Sequence, residues 1–230
     1  MPSKTIKGSP YSFYAFYSLY KYFHPRPFPQ KFALDEIASR LYPGVHIDQQ
    51  EPVSLFITWK KKNLRDNEYY LRGCIGTFAK FPLVFAIERY ALIAAFEDNR
   101  FPPIEEREFS RLHCSCNILQ NFKTIYSKKD KGDIFDWEIG VHGIELRFQE
   151  PRSGEVQSAT FLPEVMVEQN WSKRETYSNL IEKAGCYMDI DEIMDHYEEY
   201  FLEVVRYEGN KSELAYEGFE KGLKVLVSGE

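Results

Sequence analysis

The stretch Leu71-Arg72-Gly73-Cys74-Ile75-Gly76-Thr77-Phe78 constrains this chain more than any other. It reads as a strand, yet two glycines interrupt it. A glycine inside a strand has no side chain to pack, and marks a bulge or the close approach of another backbone or a ligand. Arg72 and Cys74 stand two apart, so in an extended chain they are expected on one face. A cation beside a thiol lowers its pKa and makes it a better nucleophile. The plainer reading makes Cys74 a small buried hydrophobe and Arg72 a surface charge.

Hydrophobic spacing places most other elements. Ser9 before Pro10 signals a helix start: a capping hydroxyl, then a proline in the first turn. Phe13, Phe16, Tyr17, Tyr20 and Phe23 follow at helical spacing as a core stripe. The prolines within His24–Pro29 end that helix. A second, short helix is expected over Leu34–Leu41. Val53–Trp59 and Tyr69–Phe78 form an expected antiparallel pair with a charged connection. Pro82 opens a long helix whose Val84, Ile87, Ala91, Ala94 and Ala95 share a face, and the alanines allow it close to a sheet. It ends in Glu97 to Pro103, made rigid by consecutive prolines.

Leu112, Cys114, Cys116 and Ile118 alternate with polar residues, which predicts a half-buried strand with both cysteines on its apolar side. Phe122 to Asp136 reads as a charged loop, and Trp137–Ile139 as a short strand. Ile144–Phe148 pairs with Val156–Leu162 as a hairpin, and Glu164–Asn170 looks helical. Ser172 and Glu175 form a capping box for a helix through Tyr177, Leu180, Ile181 and Ala184, stopped by Gly185. A helix over Ile190–Tyr200 and a strand over Leu202–Tyr207 follow, and no element is assigned from Gly209 onward.

At 230 residues, 43% hydrophobic and 28% charged, the chain suits one globular domain spanning 1–230. No apolar run approaches the roughly 20 residues that cross a bilayer, so no membrane association is expected. The first eight residues lack the apolar core of a secretory signal, so the four cysteines are expected as reduced thiols in the cytoplasm or nucleus. The net charge of −6 disfavours nucleic acid, whose affinity comes from Lys and Arg against phosphates. The one basic cluster, Lys60-Lys61-Lys62, reads as a solvated hairpin loop. Cys114-x-Cys116 has no second Cys or His pair at zinc spacing, so neither metal nor cofactor is expected.

The Leu71–Phe78 stretch also resembles the signature of the AMMECR domain family, named for a chromosomal region linked to Alport syndrome, midface hypoplasia, intellectual disability and elliptocytosis. Further matches occur in order: Ala95 to Pro103, Ile139 to Gly143, Phe161-Leu162-Pro163, Val167 to Trp171 and Lys183-Ala184-Gly185. The chain is identified as a eukaryotic member over roughly residues 10–208. Segments 28–44 and 189–200 look like insertions, and 209–230 is a C-terminal tail. The resemblance implies an α+β fold: an antiparallel sheet with flanking helices plus a smaller strand-rich part. It brings no settled biochemistry. Prokaryotic relatives stand beside a mediator-of-cell-motility-like protein and a radical SAM protein, which implies a functional link by association.

Two functions follow as expectations. In one, a cleft centred on the Arg-Gly-Cys-Ile-Gly motif binds a peptide or protein partner. In the other, an enzyme acts on a small-molecule or protein substrate. There Cys74 is nucleophile or redox thiol, Arg72 activates it and His142, between two glycines, is the base. Arg100 would hold an anionic group by a bidentate contact, or clamp a carbonyl, Glu97 or Asp98. Glu168 would be an acid, and Gly73 and Gly76 would leave backbone donors open for an oxyanion.

Overall fold

A computed structural model describes residues 8–25 and 31–228. They fall into two compact units, one running to Ile118 and resuming at Asn210, the other Leu119–Gly209. Both contain antiparallel strands with helices packed on them, so the fold is the expected α+β class.

In the first unit, helix α1 (Pro10–Phe23) starts where Ser9 Oγ accepts the Tyr11 N–H at 3.2 Å. Its aromatic stripe is core: Phe13 and Phe16 have no exposed surface. Helix α2 (Leu34–Leu41) adds Leu34, Ile37 and Leu41 to that core. Residues 26–30, which hold most of the helix-stopping prolines and the start of the first expected insertion, lie outside the described residues. Strands β1 (Pro52–Lys62) and β2 (Tyr69–Pro82) pair antiparallel, as the alternation and charged turn require. Helix α3 (Leu83–Phe96) covers them, and Trp59 Nε1 donates to the Ala91 carbonyl at 2.9 Å.

Two long strands, β3 (Leu112–Ser127) and β7 (Phe201–Ala215), contribute to both units. The first unit has the strand order β2-β1-β3-β7, which leaves β2 outermost. Helix α8 (Tyr216–Ser228) closes its core, with Phe219 stacked on Phe16 at 5.2 Å. Aromatic pairs of this kind add roughly 0.5–1.5 kcal/mol beyond their burial. Phe13, Phe16, Trp59, Phe109 and Phe219 all lie buried in this one core.

The second unit orders its strands β3-β7-β5-β6, where β5 is His142–Gln149 and β6 Val156–Phe161. The short β4 (Lys131–Gly132) pairs with β3. Helices α4 (Pro163–Glu168), α5 (Lys173–Lys183), α6 (Ile190–Asp195) and α7 (Tyr197–Tyr200) accompany them. The Ser172–Glu175 capping box forms as expected, and Leu180 and Ile181 are wholly buried beside Phe148 and Phe201.

Five stretches differ from the sequence expectation, the first being Lys60–Lys62, which extends β1 by pairing with β2 instead of forming a loop. Residues 122–127 are strand rather than loop, because Asn121 at φ 54° interrupts the alternation and hides the strand beyond it. Trp137–Ile139 is a turn, held where Trp137 Nε1 donates to the Ile134 carbonyl at 3.0 Å. The expected 190–200 helix breaks at His196, which is not helical (φ −116°, ψ 35°). After Gly209 the chain continues as β7 and α8, because strand pairing, with Ser212 Oγ donating to the Cys116 carbonyl, holds a polar sequence extended.

Candidate functional site

The strand pairing of β1 and β2 slips by one residue within the motif. Trp59 faces Gly73 and Lys60 faces Leu71, so Arg72 is an extra residue with no partner opposite it. Such a bulge breaks the two-residue alternation and re-aims the side chain. Arg72 therefore does not join Cys74. Its Nε and Nη2 reach Glu108 at 3.1 and 2.9 Å, and Nη1 and Nη2 donate to the carbonyls of Pro102 and Pro103. Lys61, two residues after the helix-facing Trp59, meets the same carboxylate at 2.5 Å. Both Arg72 and Glu108 are buried.

Glu108 also accepts the Glu105 N–H at 2.9 Å. Burial pushes its carboxyl up, but the hydrogen bonds from Arg72, Lys61 and that amide outweigh burial and bring it down to about 2. Through these bonds Arg72 ties the exposed Pro102-Pro103 loop to the buried Glu108.

A second clamp sits on the outer edge of β2. The Cys74 N–H donates to Asp98 Oδ2 at 2.8 Å, and the Cys74 carbonyl accepts from Arg100 Nη2 at 3.2 Å. Arg100 closes the pair by donating from Nε and Nη2 to both Asp98 oxygens. One Asp and one Arg thus bond both main-chain groups of Cys74, the role a further strand would have. The Arg100 hydrogen bonds, opposed by burial and aided by the Cys74 amide, hold the Asp98 carboxyl well below the usual carboxylate range. The fork of Arg100 is taken by Asp98, so the bidentate contact expected for a ligand is made internally.

The two glycines have steric causes. A Cβ on Gly73 would lie 2.0 Å from the Ala94 carbonyl oxygen, so it is what lets α3 press on the sheet. A Cβ on Gly76 would lie 2.3 Å from the Phe56 ring and 2.4 Å from the Leu55 carbonyl. Cys74 is half-buried and accepts a hydrogen bond from Thr58 Oγ1 at 3.1 Å. Cys114 and Cys116 are wholly buried in the core, as expected, and burial pushes the Cys116 thiol up to about 12.

His142 and Glu168 belong to the second unit. His142 Nδ1 accepts the Glu138 N–H at 3.0 Å, and Nε2 lies 3.9 Å from Glu208. Glu168 is exposed at the end of α4. Among the described residues no group of three His, Cys, Asp or Glu is placed to hold a metal ion. No helix among them is long and apolar enough to cross a membrane.

The AMMECR1 family model matches residues 13–212, a span that includes the motif and both clamps. The chain belongs to the AMMECR1 family. It is 55% identical to the uncharacterized protein YOR289W of Saccharomyces cerevisiae over 94% of this chain and 90% of that one. It is 51% identical to the uncharacterized protein KLLA0D02464g of Kluyveromyces lactis, covering 97% and 98%. A crystal structure of the uncharacterized protein PH0010 from Pyrococcus horikoshii has the same fold, with a TM-score of 0.62 at 22% identity over 92% and 94% of the chains.

Within this AMMECR1 protein, the sequence points to Arg72, Cys74 and Arg100, and to Arg100 as a clamp on a carbonyl and Asp98, but not to the bond from the Cys74 amide to Asp98 or to the role of Glu108. Asp98 was legible as a neighbour of Arg100. Glu108 carried only the Glu105-x-x-Glu108 spacing of a capping box, and nothing local connects it to Arg72, which lies 36 residues away.

Proposed function

We propose that the chain is a binding module, and that the surface built on the Arg72–Phe78 motif receives an extended peptide or protein partner. One observation carries this reading: the charged groups of the motif are committed to the fold. Arg72, the cation expected to activate the thiol, is bonded to Glu108 and two carbonyls. Arg100 is bonded to Asp98 and the Cys74 carbonyl. What the motif presents is a held outer strand, with Tyr70 and Leu71 exposed by 54% and 40% beside it. With the edge at Cys74 already bonded by Asp98 and Arg100, a partner docks on the apolar side chains of Tyr70 and Leu71 before it. The cysteines are thiols, which fits the proposed setting in the cytoplasm or nucleus.

The test is selection of binders from a displayed peptide library on the intact protein, followed by affinities for three variants. Tyr70→Asp and Leu71→Asp are expected to weaken the selected peptides about ten-fold or more, since docked apolar side chains carry most interface energy. Cys74→Ala is expected to leave them within about two-fold. Loss of binding with Cys74→Ala alone, and none with the other two, would return the site to the thiol-enzyme alternative with Cys74 as nucleophile.

A further inference from the structure

The hairpin between β1 and β2 carries a concavity of about 360 Å³ whose wall is basic. Lys61, Lys62, Arg65, Arg72 and Arg111 line it, together with Tyr70. Two of these cations are neutralised from behind, since Lys61 and Arg72 share Glu108. The other three are not: Lys62, Arg65 and Arg111 form no ion pair among the described residues, and Lys62 rests 5.8 Å from the Tyr69 ring. The nearby Asp66 is turned to Tyr70 and Asn63, at 2.7 and 3.4 Å, and does not line the concavity.

The arginines make the contrast plain. Of the eleven described, eight are ion-paired: Arg40 and Arg72, Arg100 and Arg107, Arg147 and Arg152, Arg174 and Arg206. Arg65, Arg89 and Arg111 are the remainder, and two of those three face this one concavity. In a chain with net charge −6, acidic partners are abundant, so cations gathered around a hollow without them leave an uncompensated positive field. The volume lies at the small end of the roughly 300–1,000 Å³ of ligand sites. The wall joins guanidinium forks, suited to phosphate oxygens, to an aromatic ring and the exposed Leu71.

We propose that this hairpin pocket is a binding site for a small phosphate monoester. Lys62, Arg65 and Arg111 hold the phosphate, and Tyr70 and Leu71 take its organic group. The site shares Tyr70 and Leu71 with the peptide-docking surface, but its phosphate end rests on Lys62, Arg65 and Arg111 and does not depend on that reading.

The test is calorimetric titration of the intact protein with phenyl phosphate and with inorganic phosphate. Saturable binding of phenyl phosphate is expected, weakening as salt rises and about ten-fold tighter than inorganic phosphate. The double variant Arg65→Ala/Arg111→Ala is expected to weaken it about ten-fold or more. Arg89→Ala, which removes the third unpaired arginine away from the pocket, is expected to leave the affinity unchanged. Absence of saturable binding overturns the proposal, as does an equal loss with Arg89→Ala. Equal affinity for phenyl phosphate and inorganic phosphate would overturn the monoester assignment. Because these variants leave Tyr70 and Leu71 in place, failure here leaves the peptide-binding result intact.

Discussion

Gly73→Ala is expected to destabilise the protein by about 3 kcal/mol, the upper end of what overpacking a close contact costs. The new Cβ would lie 2.0 Å from the Ala94 carbonyl oxygen, and that atom is main chain inside α3. No side-chain rotation relieves the overlap, so either helix or strand must move. The same contact face includes Trp59, whose Nε1–H is bonded to Ala91 one turn earlier, so movement of α3 also strains that hydrogen bond. Urea unfolding of the variant measures the effect. A midpoint that stays within about 0.5 kcal/mol of the parent, the range of an ordinary surface change, would show that the helix does not bear on Gly73.

Glu108→Gln is expected to cost about 3–5 kcal/mol, because it leaves the buried Arg72 guanidinium without its counter-charge. Arg72→Met in the same protein should recover part of that loss, since an apolar pair of similar volume removes the stranded charge. The acid limb of stability follows from the same contact. Glu108 in the folded protein takes a proton only near pH 2, whereas its ordinary value is 4.5. Its stabilisation is complete above the ordinary value and is lost as the pH falls through the folded one. Asp98, held low mainly by Arg100, acts in the same direction. The urea midpoint should fall steadily from about pH 5 to pH 2, and less steeply in Glu108→Gln. An unchanged slope in that variant would remove Glu108 from the acid response.

How far the sequence could be read depended on whether the signal was local. The aromatic stripe of α1, the α3 face and the Ser172 capping box are set by spacing within one element, and all form as expected. Of the alternatives that the glycines at 73 and 76 leave open, the close approach of another backbone is the one found, with the Phe56 ring added at Gly76. The expected pairing of Arg72 with Cys74 rested on unbroken alternation; the glycines signal a bulge or a close approach without saying which residue would be the extra one. Asn121 hid the second half of β3 by the same kind of local break. The strand after Gly209 had no apolar pattern to show it, because its main-chain bonding comes from pairing with a distant strand.

The central claim is that Asp98 and Arg100 hold the Cys74 backbone as a further strand would. Hydrogen exchange of the Cys74 amide, resolved by NMR, tests it most directly. In the parent protein this amide should exchange as slowly as those of the buried β1 residues Ile57 and Trp59. In Asp98→Ala it should exchange at least about ten-fold faster relative to those same amides, because the carboxylate that accepts its N–H is gone. A Cys74 amide that exchanges as fast as an exposed loop in the parent, or at the same relative rate in the variant, would contradict the clamp.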